Sequence, residues 1–159
     1  MNFHRNKVFS SVIIASIVLG AGVESSSYAT STLLPSVTAH AGVAPIIGKP
    51  KGPAPAKLVI KDIIKGKGKV AILSSTVTAE YVLMSWKTGK VLQSSWSSGP
   101  FTDPLYKVIP GWQKGIPGMK VGGRRLLVIP PALAYGAAGG GPVGPNETLI
   151  FVVDLLGIK

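Results

Sequence analysis

Apolar and polar residues alternate or cluster in short runs through the last hundred residues, and the period is mostly two. Lys57-Leu58-Val59-Ile60-Lys61-Asp62-Ile63-Ile64 is strand-like and stops at Gly66-Lys67-Gly68, where glycine permits a turn. Thr76 to Met84 predicts a second strand with Val77, Ala79, Tyr81 and Leu83 on one face. Lys87-Thr88-Gly89-Lys90 is a turn signal, and Val91 to Ser94 is the expected hairpin partner. Arg124 to Ile129 and Thr148 to Ile158 are the most apolar strands, separated by a glycine-rich loop from Gly136 to Pro145. One helix is expected within Pro104 to Ile116, kept short by Gly111, Gly115 and Pro117. Four or five strands and one short helix predict an α+β domain whose antiparallel sheet packs one face on the helix.

The first half of the chain has a different texture. His4, Arg5 and Lys7 precede an uncharged apolar or small-residue run from Val8 to Val23, closed by Glu24. That run is short for a membrane span, which needs roughly 20 residues. Ser27-Tyr28-Ala29 then places small residues where a signal peptidase reads them, so residues 1–29 are expected to be an export signal. Cleavage after Ala29 is the first expectation; Ala39-His40-Ala41 offers a second site, and an uncleaved anchor is the alternative. Residues 30–56 are rich in Ser, Thr, Ala, Gly and Pro and read as an extended arm or linker with little apolar surface to bury. The remaining residues, 57–159, form the expected folded domain.

Composition narrows the chemistry. The 159 residues are 46% hydrophobic, enough for one packed core. There is no cysteine, so neither a disulfide scaffold nor a cysteine nucleophile is available. The two histidines, His4 and His40, both lie upstream of the domain, which argues against a histidine-based triad or the usual zinc site. No cofactor and no nucleic-acid partner are expected. The net charge of +11 is compatible with loose attraction to membrane or cell-wall polyanions, with Lys61, Lys65, Lys67 and Lys69 clustered, or simply with a solvated basic face. Gly139-Gly140-Gly141 lacks the following Lys-Ser/Thr of a phosphate loop, and Arg124-Arg125 reads as a strand-edge pair pointing to opposite faces.

Val108-Ile109-Pro110-Gly111-Trp112, with Ala134-Tyr135-Gly136 further on, sets apolar and aromatic side chains where a pocket could form. Taken alone, Tyr81, Phe101, Trp112 and Phe151 fit an ordinary aromatic core as well as a pocket. Order along the chain adds to this. Gly89-Lys90-Val91 with Ser94-Ser95, Val108-Ile109 with Gly111-Trp112 and Gly115, Met119 with Val121-Gly122, Ile129-Pro130, Ala134-Tyr135-Gly136 and Thr148-Leu149 through Leu155-Leu156 together resemble the FKBP-type peptidyl-prolyl cis-trans isomerases. The resemblance spans residues 57–159. It implies a twisted antiparallel sheet wrapped around one short helix and a monomeric enzyme acting on proline-containing polypeptides, able to bind macrolides of the tacrolimus and rapamycin type.

The same resemblance assigns roles. Trp112 would be the pocket floor, Tyr81, Phe101 and Phe151 its walls, and Val108 with Ile109 its rim. Tyr135 would offer its hydroxyl to a substrate carbonyl, the Ile109 amide would bond the bound chain, and Val143 would lie in a mobile loop over the site. Leu92-Gln93 stands where the family commonly has phenylalanine-aspartate, so Leu92 is an altered wall and Gln93 a neutral, weaker acceptor. The segment from Phe101 to Val108 is shorter than usual, and Asp103-Pro104 replaces a commonly apolar continuation. These departures predict reduced isomerase activity and weakened macrolide binding. The expected function is an exported isomerase that assists folding of extracytoplasmic proteins; the alternatives are a peptide-gripping chaperone or adhesin of the same fold, and a basic surface-interaction protein.

Overall fold

The computed structural model describes residues 33–159, so the expected export signal at residues 1–29 lies outside the described residues. Six antiparallel strands form one sheet: β1 (Val59–Ile64), β2 (Thr76–Ser85), β3 (Val91–Ser94), β4 (Phe101–Pro104), β5 (Arg124–Ile129) and β6 (Leu149–Ile158). The order is β1-β5-β6-β2-β3, and β4 pairs with the first half of β2 while β3 pairs with its second half. One helix, α1 (Pro110–Gly115), lies against the inner face.

Strand alternation divides the core in two. Val77, Ala79, Leu83, Leu127, Ile129, Leu149, Phe151, Val153 and Leu155 face inward with Trp112 and Ile116. Met84, Trp86, Leu126, Val128, Ile150 and Val152 face outward, and they too are buried. Both faces of β5 and β6 are therefore covered, which is why these strands read as nearly continuous apolar runs.

What covers the outer face is the segment taken for an arm with little to bury. Antiparallel bridges Leu33↔Lys51 and Val37↔Ile47 fold it into a loose hairpin, and Leu34, Val37 and Ile47 pack on the outer cluster. A few apolar residues spaced among small ones are enough, because the sheet supplies the partner surface. Arg124 fastens the arm. Its side chain is fully buried, its Nε donates to Asp154 Oδ1 at 2.5 Å and its Nη2 to Oδ2 at 2.7 Å. Nη1 and Nη2 also donate to the carbonyls of Thr38 (2.8 Å) and Val43 (2.7 Å). Arg125 turns to the inner face, where it donates to Asp62 (2.6 Å) and to the Gly115 carbonyl (2.8 Å) at the C-terminus of α1. The two arginines do point to opposite faces. They are not at a strand edge, however, since β5 lies between β1 and β6.

The helix expected within Pro104 to Ile116 is α1, which begins only at Pro110; ahead of it Pro104 closes strand β4 and Leu105–Lys107 is a single 3-10 turn. Two prolines enforce the divisions: Pro104, without an N–H to donate, ends an edge strand, and Pro110 holds Ile109 extended at ψ 147° before fitting the first helical turn.

Candidate functional site

The inner face is left open at one place. Trp112, in the first turn of α1, stands 5.8 Å from the Tyr81 ring, 5.7 Å from Phe101 and 5.5 Å from Phe151, centroid to centroid, with each pair near perpendicular. Edge-to-face contacts of this kind hold rings apart as well as together. The four rings make a box of which Trp112 is the floor. Above it is a cavity of about 290 Å³ lined by Tyr81, Phe101, Trp112, Phe151, Val108, Ile109 and Tyr135, together with Asp103 and Lys107.

Glycine sets the height of that floor. A β-carbon on Gly111 would overlap the Ile129 side chain, and one on Gly115 would come within 2.8 Å of Leu127 Cδ2. Gly111 and Gly115, one turn apart, thus let α1 sit directly on β5. Their effect in the sequence reading was only to shorten the helix; the i, i+4 spacing was the signal of close packing.

Several donors around the box have no partner among the described residues. Among the described residues the Ile109 N–H has no acceptor, although its carbonyl receives the N–H groups of Trp112 (2.9 Å) and Gln113 (3.2 Å). Trp112 is buried, yet its Nε1 has no partner. Burial, and secondarily the neighbouring Tyr135, push the Tyr81 phenol above its ordinary value, so it remains a proton donor through neutral pH. Tyr135 is 39% exposed at the mouth, with its hydroxyl likewise free of partners.

Seven of the ten residues singled out in the sequence meet at this cavity: Tyr81, Phe101, Val108, Ile109, Trp112, Tyr135 and Phe151. Three do not line it. Leu92 is half-buried against the inner core, and Gln93 is exposed on β3 without a hydrogen bond. Val143, expected in a loop over the site, is buried in the inner core. The loop that carries it is also more tied than its glycine content suggested. Gly140 and Val143 exchange backbone hydrogen bonds (2.9 and 3.0 Å), Asn146 N–H donates to Gly136 (3.0 Å), and Gly144 N–H donates to Glu147 Oε2 (3.0 Å). Gly140 lies close on the Tyr135 ring, so the loop backs that side chain. Asp103 and Lys107 are the lining residues that sequence reasoning left without a role.

An aromatic box on a short helix, edged with donors that have no partner among the described residues and set inside an antiparallel sheet, defines an α+β protein whose pocket matches a small apolar ring in shape. The known proteins agree. The FKBP-type peptidyl-prolyl cis-trans isomerase family matches residues 68–156. A probable FK506-binding protein of Corynebacterium glutamicum is 50% identical over 113 residues, covering 70% of this chain and 96% of that protein. An FK506-binding protein of Streptomyces anulatus is 48% identical over 119 residues, covering 72% and 96%. In three dimensions the chain is similar to FkpA from Escherichia coli, with TM-score 0.61 and 42% identity over 64% of this chain and 48% of that one. This chain belongs to the FKBP-type peptidyl-prolyl cis-trans isomerase family.

Proposed function

We propose that the protein is an exported prolyl isomerase that assists the folding of polypeptides outside the cytoplasmic membrane. The observation that carries the catalytic reading is the aromatic box with the unengaged Ile109 N–H at its rim. A peptide bond resists rotation by about 18–20 kcal/mol because of its double-bond character. The twisted amide at the top of that barrier has lost conjugation and is less polar than either planar form. A dry aromatic box around the proline ring favours it, and each tenfold of rate needs only about 1.4 kcal/mol of preference. Ile109 N–H holds the flanking backbone, and the Tyr135 hydroxyl donates to a substrate carbonyl at the mouth.

Export is supported by the basic start, the apolar run from Val8 to Val23 and the small residues before Ala29. Processing after Ala29 would leave the docked arm whole. Processing after Ala41 would remove Leu34, Val37 and the Thr38 carbonyl that Arg124 holds. The mass of the mature protein distinguishes the two.

Reduced turnover and weak macrolide binding are part of the same reading. Leu92 and Gln93 are absent from the cavity wall, so the family's usual acidic contact at that position is not replaced there. This favours, as second reading, a chaperone that grips proline-containing segments with slow or no catalysis. Exchange measurements on a short X-Pro peptide decide between them. Turnover in the wild type that is lost in Trp112→Ala supports the enzyme; binding without turnover supports the chaperone.

A further inference from the structure

We infer that Asp103 makes the pocket selective for prolines flanked by a basic side chain. This deepens the proline-binding reading above and rests on it. In the β2–β4 ladder Asp103 stands opposite Val77, and Phe101 opposite Ala79. Val77 and Ala79 are fully buried on the inner face, and directly opposed residues share a face. Phe101 and Asp103 therefore both point inward, whereas Thr102 between them is exposed and its Oγ1 lies 3.1 Å from that of Thr78. The Asp103 carboxylate lines the same cavity as the box.

An inward position next to an aromatic wall calls for an apolar side chain. Here it holds a half-buried carboxylate that no described residue serves as hydrogen-bond or ion-pair partner. Partial burial weakens its hydration, and no described residue compensates. A ligand bearing an ammonium or guanidinium group would. Lys107 does not fill that role: it is exposed at the rim, outside ion-pair distance, with its Nζ 5.9 Å from the Tyr106 ring centroid. The acid is the charge nearer the low-dielectric wall, and charges interact more strongly there.

The test compares kcat/KM by exchange spectroscopy for peptides with Lys, Leu or Glu immediately before or immediately after proline. The wild type should prefer Lys to Leu and reject Glu, on whichever side of proline Asp103 faces. Asp103→Asn should lower the Lys-to-Leu ratio about fivefold, the upper range for a partly exposed ion pair. Asp103→Glu should restore most of it, and added salt should erode the wild-type ratio. Turnover with a ratio that Asp103→Asn leaves unchanged overturns the inference alone. Absence of wild-type turnover on every peptide overturns the isomerase reading instead, and the same ratios, taken as peptide affinities, then decide the role of Asp103.

Discussion

On the outer face of the sheet Arg124 is wholly buried and bonds Asp154 and two arm carbonyls; on the inner face Trp112 is almost as deeply buried, yet its Nε1 has no partner. The same strands support both. Buried polar groups in native proteins are nearly always paired, so a satisfied one reads as structure and an unsatisfied one asks what is missing. Outside, the missing surface was supplied from within the chain, by Leu34, Val37 and Ile47. Inside, four rings, a free amide and a free carboxylate leave room for something from elsewhere. The outer face should therefore govern stability and the inner face turnover.

The largest effect should come from breaking the outer face. Arg124→Ala strands the Asp154 carboxylate and releases the arm, and should cost about 3–5 kcal/mol in denaturant unfolding. Turnover per folded molecule should stay near wild type; a parallel collapse of activity would abolish the division of labour. Gly111→Ala crosses the boundary, since it forces α1 off Ile129 and so moves Trp112. A loss of about 1–3 kcal/mol and a fall in kcat/KM should appear together.

A purely inner change comes next. Tyr135→Phe removes a hydroxyl with no partner among the described residues, so unfolding should shift by less than about 0.5 kcal/mol. Its kcat/KM should drop about fivefold, one ordinary hydrogen bond. Equal losses in both measurements would mean the hydroxyl serves the fold. The smallest effect is alkaline. The folded Tyr81 phenol holds its proton to higher pH than the unfolded one, so stability is unaffected below the ordinary tyrosine value and declines as pH rises from there through the folded value. Tyr81→Phe should lessen that decline in melts taken across this range.

Sequence pattern disclosed the strands most sharply where one or both faces were buried. Arg124–Ile129 has the expected bounds, and Thr76 to Ser85 differs by one residue. It failed at Phe101–Pro104, because four residues containing Asp103 and Pro104 show little period, and only pairing with β2 makes them a strand. The box was legible through the order of its aromatic residues. Leu92, Gln93 and Val143 do not line the box, and position along a chain does not fix which way a bulged strand or a glycine loop turns its side chains; β2 and β3 shift register between Leu83 and Met84. The docked arm was the plainest omission. Its hold on Arg124 passes through carbonyls, and composition says nothing about where a peptide group will be received.

That hold has a practical side. Because Arg124 recognises the Thr38 and Val43 peptide oxygens, its contact asks nothing of their side chains, although Thr38 Oγ1 also accepts from the Ile46 N–H (3.0 Å). Ala39, His40, Ala41 and Gly42 between them are exposed, and Gly42 alone is constrained, by a φ of 77°. The tip of this hairpin is thus a natural address for a fluorophore, an epitope or a surface tether, on the side of the molecule opposite the box.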